Sequence, residues 1–219
     1  MNFGQSLKLH YLNYRLFYLV QWMLNFLTVG IAIFVFNNSE QLINRLTIGG
    51  ITTSLVFTFL LGIYEYRLLL PRYLNLSNIK RDFYWGSLLF GFINSILQTG
   101  HLTLLFLFIN SLIPKKIIFV LPHYHLIIYF LIIGLHFLIY AFANLLTLVL
   151  KKLILLIKIL LIIIIGLLGY FLKAILHFSE NKMIKYFSDA NASFNLLLIV
   201  LVVSVFIHFI IFLLSYTEK

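Results

Sequence analysis

The sequence predicts an all-α integral membrane protein of about six transmembrane helices, an N-terminal two-helix hairpin followed by a four-helix bundle. Three observations predict it. Of 219 residues, 63% are hydrophobic and only 10% charged, a balance outside that of soluble domains. Several apolar runs exceed the roughly 18 residues that mark a membrane span. The period-two alternation of a membrane barrel is absent. Backbone groups in lipid must be bonded within their own segment, so these runs are helices.

The first span covers about 16–37 and ends at the polar turn Asn37-Asn38-Ser39-Glu40. The second covers about 46–70 and stops against Pro71, which cannot continue a helix. Together they make the hairpin, 16–70. A basic loop follows, in which Arg67, Arg72, Lys80 and Arg81 face only Glu65 and Asp82.

The bundle, 82–216, opens with a long third span from Asp82 to Lys116 that outruns a ~30 Å hydrocarbon core. The fourth span runs over about 119–150 and the fifth over about 153–178. Only Lys151-Lys152 separates them, which predicts a tight antiparallel pair. A polar loop leads to the sixth span, about 194–216. No linker or internal repeat is visible, so residues 1–219 read as one polytopic domain.

With an even number of spans both termini share a side. That side holds nine Lys and Arg against five on the other, which places both termini on the matrix or cytoplasmic face. The net charge of +10 is therefore a topology signal in clusters between spans, and no nucleic-acid partner is expected. There are no cysteines, which excludes disulfides and thiolate metal sites. The first fifteen residues show no cleavable signal pattern. Abundant Phe, Leu, Ile, Asn, Tyr and Lys suit an AT-rich genome, an organelle's or a reduced bacterium's.

Polar groups inside spans are the functional candidates, because each is unfavourable in lipid unless paired. The third span carries Asn94, Gln98, His101 and Asn110. His101 and His136 fall near the middle of successive spans, beside Gly100 and Gly134. One reading is a haem held between the two imidazoles; the other is that each hydrogen-bonds a neighbouring helix or a lipid headgroup. His123-x-His125 could hold a metal in strand-like geometry, but it adjoins Pro122 at a membrane surface and reads first as interfacial, and His177 and His208 read as packing or interfacial groups. No Asp or Glu lies deep within a span, so Lys158 lacks a carboxylate partner and a proton relay or coupled carrier is not expected. Hydrolase, zinc-protease and phosphate-loop motifs are missing, so no catalytic residue is assigned and no metal site is expected.

Several strings resemble subunit III of cytochrome c oxidase, a non-catalytic core subunit of respiratory complex IV. They are Gly86-Ser-Leu-Leu-Phe-Gly-Phe-Ile-Asn-Ser95, Asn110-Ser-Leu-Ile-Pro114, Leu167-Leu168-Gly169-Tyr170-Phe171 and Ser188-Asp189, with His208 in the sixth helix. The hairpin, the charged loop and the long third helix follow in that family's order. The family's third-helix glutamate is replaced by Ile96, the loop after that helix is shorter, and its seventh helix is missing. Phe142-Ala143-Asn144-Leu145 is similar to a string of ATP synthase subunit a, but Tyr140 stands where that family's arginine belongs.

The resemblance implies a mitochondrial inner-membrane subunit with both termini in the matrix, and no haem or metal of its own. Haem and copper would be carried by partner subunits, the catalytic subunits of the oxidase. It also implies phospholipid bound in a cleft between hairpin and bundle. In that reading Arg67, Arg72, Lys80 and Arg81 meet lipid phosphates. Gln98, His101 and His208 line the cleft. An accessory subunit of another respiratory complex or of ATP synthase is the remaining alternative.

Overall fold

The computed structural model describes residues 3–36, 40–71, 80–112, 126–152 and 190–216. All five stretches are helical. They are α1 (Phe3–Phe36), α2 (Glu40–Tyr64) running into a π-helical turn (Glu65–Leu69), α3 (Lys80–Leu112), α4 (Leu126–Lys152) and α5 (Ala190–Tyr216). The expected fifth span, 153–178, lies outside the described residues, as do His123, His125, Lys158 and His177.

Among the described residues three helices are long and apolar enough to cross a membrane: Asp82–Ile109, Tyr129–Lys151 and Phe194–Leu214. The distribution of side chains is that of a membrane protein. Large apolar groups such as Leu16, Met23 and Leu27 on α1, and Ile199, Val202, Val205 and Phe206 on α5, are more than half exposed. Gln21, Ser54, Glu65, Asn94, Gln98, His101 and His136 are buried. Lipid makes the outside apolar at no cost, and polar groups collect where helices face each other. The described residues are all helical, with the side-chain distribution of a membrane-embedded protein.

α1 is longer than the sequence indicated, beginning thirteen residues ahead of the expected span at 16. Lys8, Tyr11, Leu12 and Arg15 on this extension are exposed, whereas His10 and Tyr14 turn inward. α2 does not end in a loop at Glu65. It continues through the π turn, where the Leu70 N–H donates to the Glu65 carbonyl five residues back. In that pattern the Tyr66 carbonyl would receive its bond from residue 71, and Pro71 has no N–H. The Lys151 ammonium at the end of α4 donates to the Tyr66 carbonyl instead, at 2.5 Å.

The expected division into hairpin and bundle gives way to interleaving. α1 packs chiefly along α3, and α2 along α4, while α1 and α2 touch one another much less. α1 and α3 run parallel, since His10 meets Phe83, Tyr14 meets Phe90 and Phe26 meets Phe108. α5 lies along α4, the most extensive contact of all. Two glycines allow the close approaches. A Cβ on Gly91 would fall 2.4 Å from the Tyr140 ring, and one on Gly62 would fall 2.7 Å from Ala143 Cβ and 2.9 Å from the Tyr140 carbonyl.

Candidate functional site

The polar residues of α3 are answered by α1. Tyr18 donates its hydroxyl hydrogen to Asn94 Oδ1. Gln21 and Gln98 form a reciprocal amide pair, Gln21 Nε2 donating to Gln98 Oε1 at 3.1 Å and Gln98 Nε2 to Gln21 Oε1 at 3.0 Å. Asn25 Nδ2 donates to His101 Nε2 at 2.9 Å. The sequence separations are 76, 77 and 76, so equivalent positions of two parallel helices pair rung by rung. Spacings of three and four residues keep such positions on one helix face.

Aromatic rings close the seam at both ends. The His101 imidazole stacks on Trp22 with centroids 4.8 Å apart and takes an edge contact from Phe26. Beyond it Val29, Leu105 and Ile109 form an apolar layer. At the other end His10 packs against Phe83 and Phe90, and its Nε2 lies 2.5 Å from Glu65 Oε1, with both side chains wholly buried.

A branch leaves the seam at Gln98. Ser54 Oγ on α2 lies 2.8 Å from Gln98 Oε1 and 2.9 Å from His136 Nε2 on α4. His136 Nδ1 lies 2.9 Å from the Ile132 carbonyl one turn back. Four helices thus contribute to one connected group: Gln21, Ser54, Gln98 and His136.

The structure places the predicted residues as follows. Arg67 lies on the π turn and is exposed, at the end of the bundle where Trp85 is also exposed. Arg72 lies outside the described residues, and Lys80 and Arg81 begin α3. Gln98 and His101, expected to line a lipid cleft, are wholly buried and bonded to protein groups. His208 is 5% exposed; its Nδ1 donates to the Ser204 carbonyl at 2.8 Å and its ring stacks on Phe137 at 4.4 Å. It too meets protein, and Tyr84 donates to its carbonyl at 2.8 Å.

The haem reading does not fit these residues. Both ring nitrogens of His136 are engaged by Ser54 and Ile132, and His101 Nε2 is engaged by Asn25. The small residues expected to admit a macrocycle lie elsewhere: Gly134 packs against Val200 and Leu197 of α5, and Gly100 is exposed. Among the described residues no group of three His, Asp or Glu is gathered for a metal.

A second correction concerns carboxylates. Glu65 falls within the expected second span and was taken with the charged loop, yet it is fully buried against His10, so the described bundle does enclose a carboxylate. Sequence reasoning also passed over Tyr18, Gln21, Asn25 and Ser54. The signal was there, since 18, 21 and 25 carry the same helical spacing as 94, 98 and 101.

No protein-family model, curated protein or solved structure matches this chain.

Proposed function

We propose that this chain is a non-catalytic membrane subunit of a respiratory-chain assembly, of the kind that subunit III of cytochrome c oxidase represents. The observation that supports the reading is the run of cross-helix hydrogen bonds along the polar seam. Tyr18–Asn94, Gln21–Gln98 and Asn25–His101 bond across α1 and α3 with apolar side chains outside, while Asn94 Nδ2 and His101 Nδ1 stay buried without a partner among the described residues. Polar groups spent on joining helices suit a rigid helical body that supports partners. The particular family rests on the sequence strings and their order along the chain.

In this reading haem and copper belong to the partner subunits, and the membrane is the mitochondrial inner one with both termini in the matrix. Phospholipid is held at the bundle surface by the basic end, where exposed Arg67 stands beside Arg72, Lys80 and Arg81 in the sequence.

Extraction of the source membranes in mild detergent with a tagged chain, followed by native electrophoresis, tests the proposal. Co-migration with the two catalytic subunits of the oxidase is the expected result. Migration with a complex lacking both refutes the oxidase assignment. Migration as a free chain refutes the subunit reading altogether.

A further inference from the structure

The contacts around Ser54 constrain where hydrogens lie. Three of them run in series: Ser54 Oγ to Gln98 Oε1 at 2.8 Å, Ser54 Oγ to His136 Nε2 at 2.9 Å, and His136 Nδ1 to the Ile132 carbonyl at 2.9 Å. Each joins atoms that attract only with a hydrogen between them. The oxygens of Gln98 and Ile132 accept and cannot donate. Ser54 must therefore donate to Gln98, and His136 Nδ1 to Ile132. The hydroxyl has one hydrogen and a neutral imidazole has one N–H. Nothing is then left for the Ser54–His136 contact unless Nε2 carries a hydrogen too. With the Gln98 oxygen turned toward Ser54, all three contacts are complete when His136 is an imidazolium.

A second arrangement completes them with a neutral ring. Gln21 and Gln98 hold each other by two reciprocal bonds. A half-turn of both amides exchanges nitrogen and oxygen at each end and preserves both bonds. Gln98 Nε2 then donates to Ser54, Ser54 donates to His136 Nε2, and His136 Nδ1 still donates to Ile132. The two arrangements have equal numbers of hydrogen bonds. They differ by one proton and by the direction of the amide pair.

We propose that His136 is a proton-binding site in the middle of the bundle, and that the Gln21–Gln98 pair reverses direction when the proton leaves. The groups reaching the imidazole are the Ser54 hydroxyl from α2, the α1 and α3 amides through it, and its own helix's Ile132 carbonyl. α5 meets α4 beside it, through Val200 and Leu197 at Gly134 and through His208 stacked on Phe137. No described carboxylate or cationic side chain is bonded into this group. Other titratable side chains of the described bundle are Tyr140, one turn along the same helix and bonded at Ser87, His101, held by Asn25, and His208, held by the Ser204 carbonyl. Because both states are equally well bonded, burial decides between them: it favours the neutral ring, and the proton is taken up only toward acid pH, without loss of any hydrogen bond.

The test uses the full chain in lipid nanodiscs, with nitrogen-labelled histidine and glutamine followed by NMR from acid to alkaline pH. The expected result is a His136 ring bearing hydrogen on both nitrogens at acid pH and on Nδ1 alone at alkaline pH. The side-chain amide signals of Gln21 and Gln98 shift with the same midpoint. In Ser54→Ala the histidine still titrates and the amides cease to follow. A His136 that keeps a single N–H throughout while the protein stays folded overturns the proposal, and so do amide signals that stay fixed while His136 titrates. Amides that still follow in Ser54→Ala overturn the route through Ser54. The unsubstituted chain decides alone if that variant does not fold.

Discussion

Glu65 Oε1 and His10 Nε2 meet at 2.5 Å with neither side chain exposed, joining the first turns of α1 to the π turn that ends α2. Two ionisable groups so enclosed stabilise the fold only as a pair, because either alone would be left buried without a counterpart. Glu65→Ala is expected to destabilise the protein by about 3 kcal/mol, the usual consequence of removing one partner of a buried pair. Glu65→Gln keeps an acceptor oxygen for the imidazole and should lose clearly less. Thermal unfolding of the detergent-solubilised variants separates them, and equal losses would mean that the contact contributes little.

The Gln21–Gln98 pair makes a sharper prediction because it is symmetric. Gln21→Leu or Gln98→Leu alone strands a buried amide, which costs about 1–3 kcal/mol. The double variant strands neither member of the pair and should be less destabilised than the two losses summed, with a coupling on the order of 1 kcal/mol. A double-mutant cycle measured by denaturant unfolding reads this directly. Strict additivity would show that the two amides do not depend on each other.

The glycines predict a graded series. Gly62→Ala drives a methyl to 2.9 Å from the Tyr140 carbonyl, so backbone must move, and a loss of about 1–3 kcal/mol is expected. Gly91→Ala meets the wholly buried Tyr140 ring and belongs to the same class. Gly100→Ala meets nothing within 4 Å and should be neutral or slightly stabilising through helix propensity. Melting temperatures in this order check the packing of α2 and α3 against α4.

Depth in the bilayer is accessible through the two tryptophans. Trp85 is 46% exposed at the start of α3, whereas Trp22 stacks on His101 with its Nε1 buried. In single-tryptophan variants, lipids brominated near the headgroup should quench Trp85 strongly and Trp22 weakly. The reverse pattern would place the Asp82 end of α3 away from the headgroups.

How much of this was legible in the sequence depends on what each feature requires. Helical class and approximate spans follow from composition and run length, since lipid leaves few alternatives for the backbone. That Asn94, Gln98 and His101 need partners follows from the same physics. Which helix supplies those partners does not, because helical spacing fixes a face without naming its neighbour. Tyr18, Gln21 and Asn25 share that spacing, but so does any helical stripe. Glu65 was misplaced for a different reason: charged residues beside Pro71 suggest a loop, and a π turn that draws a carboxylate inward leaves no compositional mark. The haem reading failed on local detail, as the glycines beside His101 and His136 face other surroundings.

The constant offset of 76 or 77 residues between paired rungs has a consequence during synthesis. α1 leaves the ribosome carrying Tyr18, Gln21 and Asn25, and their partners on α3 are translated only after about eighty more residues. Through that interval α1 carries three polar groups whose α3 partners do not yet exist. A chain truncated before Asn94 should leave Tyr18, Gln21 and Asn25 without these partners, and accessibility labelling at the three positions, compared with the full chain, reads the difference.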